Sequence, residues 1–324
     1  MSGPLSLKIA VSSTPHVAAL KEGRIKINGV DADFVNVQPQ IAAFRRMVRD
    51  VEFDVCELAP TTYVIARAHG APFKALPIFL MRRFHHSGLV KRNDAGINRP
   101  KDLEGKRVGV RAYSVTTGVW TRGILQNEYD VDPDKVNWVV DDEEHVQAMK
   151  LPPNVTHVEE GKSLAGMMGA GEIQAGFTGP AGIGRAGAPT AGWSSGGVAD
   201  DAYPEVIENA EAAEAEWYRR TGIYPIHGTL VVKDSVLDAN PWLPKALLTA
   251  FEAAKQPYLA QLAKGEGDDA TSRRYINDSK VVGPDPLPYG MQANLASVDA
   301  LIQYAYQQRL IDKLPDRDSL FVNI

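Results

Sequence analysis

Short apolar runs alternate with stretches of helical periodicity along most of the chain. Residues 7–11, 33–37, 53–56 and 73–79 read as strands, being short, apolar and bounded by turn-forming residues. Between them, 15–20, 41–49 and 60–69 read as helices, the second with Ile41, Phe44 and Val48 on one face. Strands alternating with helices predict a mostly parallel sheet with crossover helices, an α/β fold.

A polar, glycine-marked stretch at 91–99 separates a second series. Residues 100–110 predict a helical turn, a glycine stop and a strand. A hydroxyl-rich segment, 113–117, then precedes a helix running through Leu125. Strands follow at 136–140 and 173–177, with a short helix at 163–171 between them. Gly and Ala make 182–197 an irregular loop, and 205–220 and 229–232 read as helix and strand. From Pro241 the chain is mainly helical, including 244–263 and 295–309. This order predicts two lobes with a ligand cleft between them: lobe one over 1–90 plus 226–324, lobe two over 91–225.

Composition narrows the function. The 324 residues are 44% hydrophobic and 23% charged, normal for a globular protein. A net charge of -5 without a long basic run argues against nucleic acid as partner. No secretory signal and no run of ~20 apolar residues is evident, so a cytoplasmic protein without a membrane partner is expected. Cys56 is the single cysteine, which excludes an intramolecular disulfide and a multi-thiolate zinc site. The spacing from Gly182 to Gly187 mimics a dinucleotide fingerprint but lacks its strand–turn–helix frame. Asp141, Asp142, Glu143 and Glu144, near His145 and His157, superficially suggest metal; the run reads as a solvated loop, and no metal site is expected.

Asp102-Leu103-Glu104-Gly105-Lys106-Arg107-Val108-Gly109-Val110 resembles the opening of the second lobe in type II periplasmic binding proteins. The run from Leu164 through Gly171-Glu172-Ile173-Gln174-Ala175-Gly176 resembles their unit of short helix, Gly-Glu and strand. A narrower resemblance rests on five ordered blocks. They are Phe53-Asp54-Val55-Cys56-Glu57-Leu58, Arg82-Arg83-Phe84-His85-His86-Ser87, the stretch from Tyr113 to Gly123, Tyr224-Pro225-Ile226-His227, and Asp285-Pro286-Leu287-Pro288-Tyr289-Gly290. Together they resemble the 4,5-dihydroxyphthalate decarboxylase family. Two departures are visible: His85 stands where that pattern usually has Arg, and Gly228 where a His often follows. A lost cation implies a substrate with fewer carboxylates.

The resemblance implies non-oxidative decarboxylation of a hydroxylated aromatic acid such as 4,5-dihydroxyphthalate, by ring-carbon protonation and loss of CO2. A hydroxyl para to the carboxylate lets the ring itself accept charge, so no organic cofactor is expected; a divalent ion bridging catechol oxygens or carboxylates stays open as an alternative, without a ligand motif in the chain. A proton donor with a pKa near neutrality suits the step, and histidine is the first choice. His86 is therefore the leading catalyst, His85 the second, and Glu57 a partner that accepts from a phenol or orients a histidine. Ser114, Thr116 and Thr117 form the expected anion clamp at a helix start, joined by Arg111. Arg82, Arg83 and Arg122 are alternatives to that arginine. His227 near the return crossing, and Ser13 and His16 after the first strand, complete the expected lining, with Tyr289 weaker. The competing reading is a non-catalytic solute-binding protein or sensor for an aromatic carboxylate, because fold does not settle function. Helical surfaces such as 295–309 are candidate homo-oligomer contacts.

Overall fold

A computed structural model describes residues 3–185 and 197–324. Most of the loop expected over 182–197, and with it part of the Gly182 to Gly187 spacing, lies outside the described residues. The chain divides into two compact units. The first comprises Met1–Arg83, Tyr218–Asp299 and Pro315–Ile324; the second comprises Phe84–Trp217 and Ala300–Leu314.

In the first unit, β1 (Leu5–Ala10), α1 (Pro15–Lys21), β2 (Val30–Phe34), α2 (Gln40–Asp50), β3 (Val55–Leu58), α3 (Pro60–Ala68) and β4 (Phe73–Arg82) follow in order. Pro15 and Pro60 open α1 and α3, where a missing N–H costs nothing. The chain passes through the second unit's β5 (Leu89–Lys91), β6 (Arg107–Gly109), α4 (Thr116–Glu128), β7 (Asn137–Val140), β8 (Val155–His157), α5 (Leu164–Ala170) and β9 (Ala175–Phe177). It then runs through α6 (Ala210–Thr221) into β10 (Ile226–Lys233), α7 (Asp234–Ala239), α8 (Leu243–Ala263), α9 (Ala270–Val282), α10 (Leu295–Gln307) and α11 (Arg317–Leu320).

The first sheet has the order β2-β1-β3-β10-β4, with β10 antiparallel to both neighbours and β1 parallel to its own. Leu7, Ile9, Val55, Ile78, Leu230 and Val232 from its strands pack with Leu247 and Phe251 of α8. The second sheet has the order β5-β9-β6-β7-β8, parallel except for β5. Its core joins Val90, Val139 and Ile173 to Leu164 and Met168 of α5. The α/β reading therefore holds, with one antiparallel strand in each sheet. Among the described residues, no helix is long and apolar enough to cross a membrane.

Three differences from the sequence reading have physical causes. The strand expected at 33–37 is Val30–Phe34, an edge strand whose Asp31 and Asp33 face outward. Helix α9 lies in the stretch read only as mainly helical, without bounds of its own, since its run is polar and buries only Ser272 and Tyr275; Asp269 caps it, accepting from the Thr271 and Ser272 N–H groups. Residues 300–314, expected in lobe one, group with the second unit. Gly123 of α4 has no Cβ, and the Tyr304 ring occupies the space one would fill. Gln308 accepts from Arg122 Nε at 2.7 Å and donates to the Val119 carbonyl at 2.8 Å. In α10, Val298, Leu301 and Ala305 are buried, whereas Tyr306 is exposed.

Candidate active site

In the first unit, the ends of β1 and β3 lie side by side, Ala10 paired with Cys56, and α/β sites gather at such carboxyl ends. Glu57, one residue further along β3, is 3% exposed. Its Oε2 accepts the Ser12 N–H at 2.8 Å. Its Oε1 points at Gly228, where a Cβ would stand 2.9 Å away. Burial pushes the Glu57 carboxyl above its usual range, against the Ser12 hydrogen bonds and the Lys21 ammonium. Ser13 Oγ accepts from Lys21 Nζ at 2.7 Å, and the same ammonium bonds the Val11 carbonyl. His16 is buried beside the Tyr258 ring, its Nε2 3.1 Å from Thr14 Oγ1. Burial lowers its pKa to about 4, so the ring is neutral at pH 7.

The two arginines of the second block separate in role. Arg82 is 1% exposed and built into the fold. It donates to Asn294 Oδ1, the Tyr224 carbonyl and Ser297 Oγ, and lies over the Tyr224 ring, so it is not the substrate ligand expected. Arg83 is the next residue along, its N–H on the Pro225 carbonyl. Burial, then the charge of Arg274 from α9, pull Arg83 down to about 10. Burial and the same two guanidiniums hold His227 well below its ordinary pKa. Arg83, Arg274 and neutral His227 thus share one positive field. Arg274 escaped the sequence reading because it sits in the polar helix α9, outside every motif block.

In the second unit, His86 is 1% exposed, edge-on to Trp217 at 5.1 Å, with Nδ1 4.0 Å from Glu214 Oε1. Burial lowers its pKa to about 4, which removes the near-neutral acid expected there. His85 is buried as well, and its carbonyl accepts from Thr121 Oγ1 at 3.0 Å. Glu144 occupies the Ser114 part of the expected anion clamp. Glu144 accepts from the Tyr113 N–H at 2.6 Å, from the Ser114 N–H at 3.2 Å, and from Ser114 Oγ. Val115, with no side-chain cap, precedes the helix that Thr116 and Thr117 begin, and both threonines are buried.

The acidic run is correspondingly not a solvated loop. Arg111 Nη1 donates to Asp142 Oδ2 at 2.8 Å, and Arg185 pairs with Asp141, all four side chains being at least nine-tenths buried. Buried arginines meet Asp141 and Asp142, a long-range pairing that spacing along the chain does not reveal, while Glu143 is exposed. Arg122 is likewise internal, stacked 3.9 Å from the Tyr113 ring centroid. Among the described residues, no group of three or more His, Cys, Asp or Glu side chains is placed to hold a metal ion.

The fold is that of the periplasmic binding proteins: the periplasmic aliphatic sulphonate binding protein of Escherichia coli matches with a TM-score of 0.52, 14% identity, and coverage of 98% of this chain and 97% of that one. The sequence is more specific. It is 33% identical to the 4,5-dihydroxyphthalate decarboxylase of Comamonas testosteroni over 98% of this chain and 96% of that protein. It is 35% identical to the enzyme of the same name from Pseudomonas putida, over 53% of this chain and 69% of that one. Residues 11–150 also match the NMT1/THI5 like family. The chain belongs to the 4,5-dihydroxyphthalate decarboxylase family.

Proposed function

We propose that the chain is a carboxy-lyase that removes CO2 from a hydroxylated aromatic acid, with 4,5-dihydroxyphthalate the first substrate to test. The observation carrying this is the 33% identity to the Comamonas testosteroni enzyme across 98% of the chain. The first unit supplies matching chemistry. Glu57 holds its proton more firmly than an exposed carboxyl, and its Oε1 faces Gly228 while Oε2 accepts the Ser12 N–H. In this reading Oε1–H gives its proton to the ring carbon that bears the carboxylate. The bond to the carboxylate breaks, its electron pair restores the aromatic ring, and CO2 leaves. Glu57 then regains a proton from water, so one proton is consumed per turnover. Arg83 and Arg274 supply charge-assisted donors for substrate carboxylate. The proton donor moves from His86 and His85 to Glu57.

The test is CO2 release by the purified, chelator-treated chain from 4,5-dihydroxyphthalate and from monocarboxylated phenols, with chromatography of the product. The expected products are CO2 and 3,4-dihydroxybenzoate, lost in Glu57→Gln. Recovery of unchanged ligand from a tight complex makes the chain a binding protein instead.

A further inference from the structure

The fifth sequence block forms a loop, 285–290, held by hydrogen bonds on both sides of Tyr289. Lys255, 0% exposed on α8, reaches it with its ammonium, donating to Asp285 Oδ2 at 2.7 Å and to the Leu287 carbonyl at 2.8 Å. The Leu287 N–H returns to Asp285 Oδ1 at 2.8 Å. Asn294 Nδ2 bonds the Pro288 carbonyl at 2.9 Å and the Gly290 carbonyl at 2.6 Å, while the Gly290 N–H bonds the Pro77 carbonyl of β4 at 2.8 Å. Asn294 is in turn fixed by Arg82. These bonds grip the residues on both sides of Tyr289, and Lys255 Nζ lies 4.1 Å from its ring centroid. The ring therefore has one position.

One group in this framework is left over: Tyr289 Oη is buried with no hydrogen-bond partner. Buried hydroxyls in native proteins are nearly always paired, and the exceptions ask for a missing partner. We propose that Tyr289 is a substrate-contacting residue whose hydroxyl donates to a ring hydroxyl of the aromatic acid. The assignment to a hydroxyl and not a carboxylate follows from charge. The guanidiniums of Arg83 and Arg274 are placed together elsewhere in the unit, whereas the charge nearest Tyr289 is spent on its ring face and on Asp285. A neutral phenol, itself donor and acceptor, is the matching group. Burial and the carboxylates of Glu252, Asp285 and Glu57 hold Tyr289 protonated, as a donor must be. Arg82, Asn294 and Lys255 become positioning residues for this contact.

The choice of ligand rests on the proposed decarboxylase reading, so the test measures affinity and not turnover. Titrating 4,5-dihydroxyphthalate and phthalate into the full chain and into Tyr289→Phe isolates the hydroxyl contact. Dihydroxyphthalate should bind the variant about tenfold more weakly and phthalate within twofold of the parent, with the unfolding midpoint unchanged or raised. Equal changes for both ligands, or none, overturn the proposal. So does a lowered unfolding midpoint, which would show that Oη has a partner inside the fold. A parent that binds dihydroxyphthalate without releasing CO2 sinks the decarboxylase reading and leaves the affinity comparison intact. Turnover with unmoved affinities sinks the Tyr289 contact alone. No binding to the parent sinks both.

Discussion

Two regions carry the polar residues that mark a ligand site, and they differ in what is left unpaired. At the start of α4, Glu144 fills the N–H groups of Tyr113 and Ser114 together with Ser114 Oγ. In the first unit, Tyr289 Oη of the 285–290 loop has no hydrogen-bond partner among the described residues, and Glu57 at the end of β3 is buried with its carboxyl held above its usual range. A helix start with hydroxyls is an anion site by its physics, but the protein can supply the anion. The sharper sign of a ligand is a polar group held in place by everything around it and bonded to none of it.

The largest effect should separate the two regions outright. Glu57→Gln keeps the side-chain shape and the Ser12 contact but removes the proton, so kcat should fall by roughly 10²–10⁴-fold, the usual contribution of a general acid. The pH response gives an independent check. A carboxyl whose folded pKa is raised stabilises the fold relative to its ionised form below the usual carboxylate pKa, and that contribution is lost as pH rises through the folded value. Urea unfolding of the parent should therefore weaken over that rise, with a flatter curve for Glu57→Gln. An active Gln variant would break the comparison.

The next effect is shared by both regions. His16 and His86 are buried with pKa values lowered to about 4, so only the unfolded chain takes up protons between the ordinary value of 6.5 and that figure. Stability is present above pH 6.5 and falls as pH drops towards 4, by on the order of 3 kcal/mol per histidine at most. Unfolding midpoints at pH 7 and pH 5 measure it, and His86→Gln should remove its share. A His86 that instead titrates near neutrality by NMR would restore it as the acid.

How much of this the chain announces depends on whether the signal is local. Strand–helix alternation is local, so the α/β class and most elements are legible, and the Asp285 to Gly290 block is recognisable as a motif. Glu144 meeting Ser114, Asp141 meeting Arg185 and Arg82 meeting Asn294 join residues far apart in sequence, and no periodicity encodes such pairs. Hence Arg82 looks like a ligand and proves structural, while Arg274, in a helix with few buried positions, gives no sign. His86 is legible as a catalytic candidate but not as a buried, neutral ring, because its environment is Trp217 and Glu214 from distant α6.

Gly228 offers a smaller and more graded test of the first region. A Cβ there would lie 2.9 Å from Glu57 Oε1 and 3.3 Å from Met81 Cβ, and the carboxyl is the part able to turn away. Gly228→Ala should therefore cost about tenfold in kcat, roughly 1.4 kcal/mol, with little change in the unfolding midpoint. Unchanged kcat would show that Oε1 can move without harm and is not the atom delivering the proton.

The smallest effect belongs to the filled site. Ser114→Ala removes one hydroxyl from the Glu144 carboxylate while leaving both backbone N–H donors, so about 1 kcal/mol of stability should be lost. Because Glu144 already occupies this helix start, KM for the aromatic acid should not move. If instead KM rises several-fold with no loss of stability, substrate displaces Glu144 when it binds, and the apparent contrast between the two regions is a property of the empty protein. Measuring both quantities on one preparation decides it, since an internal cap and a substrate clamp predict opposite patterns.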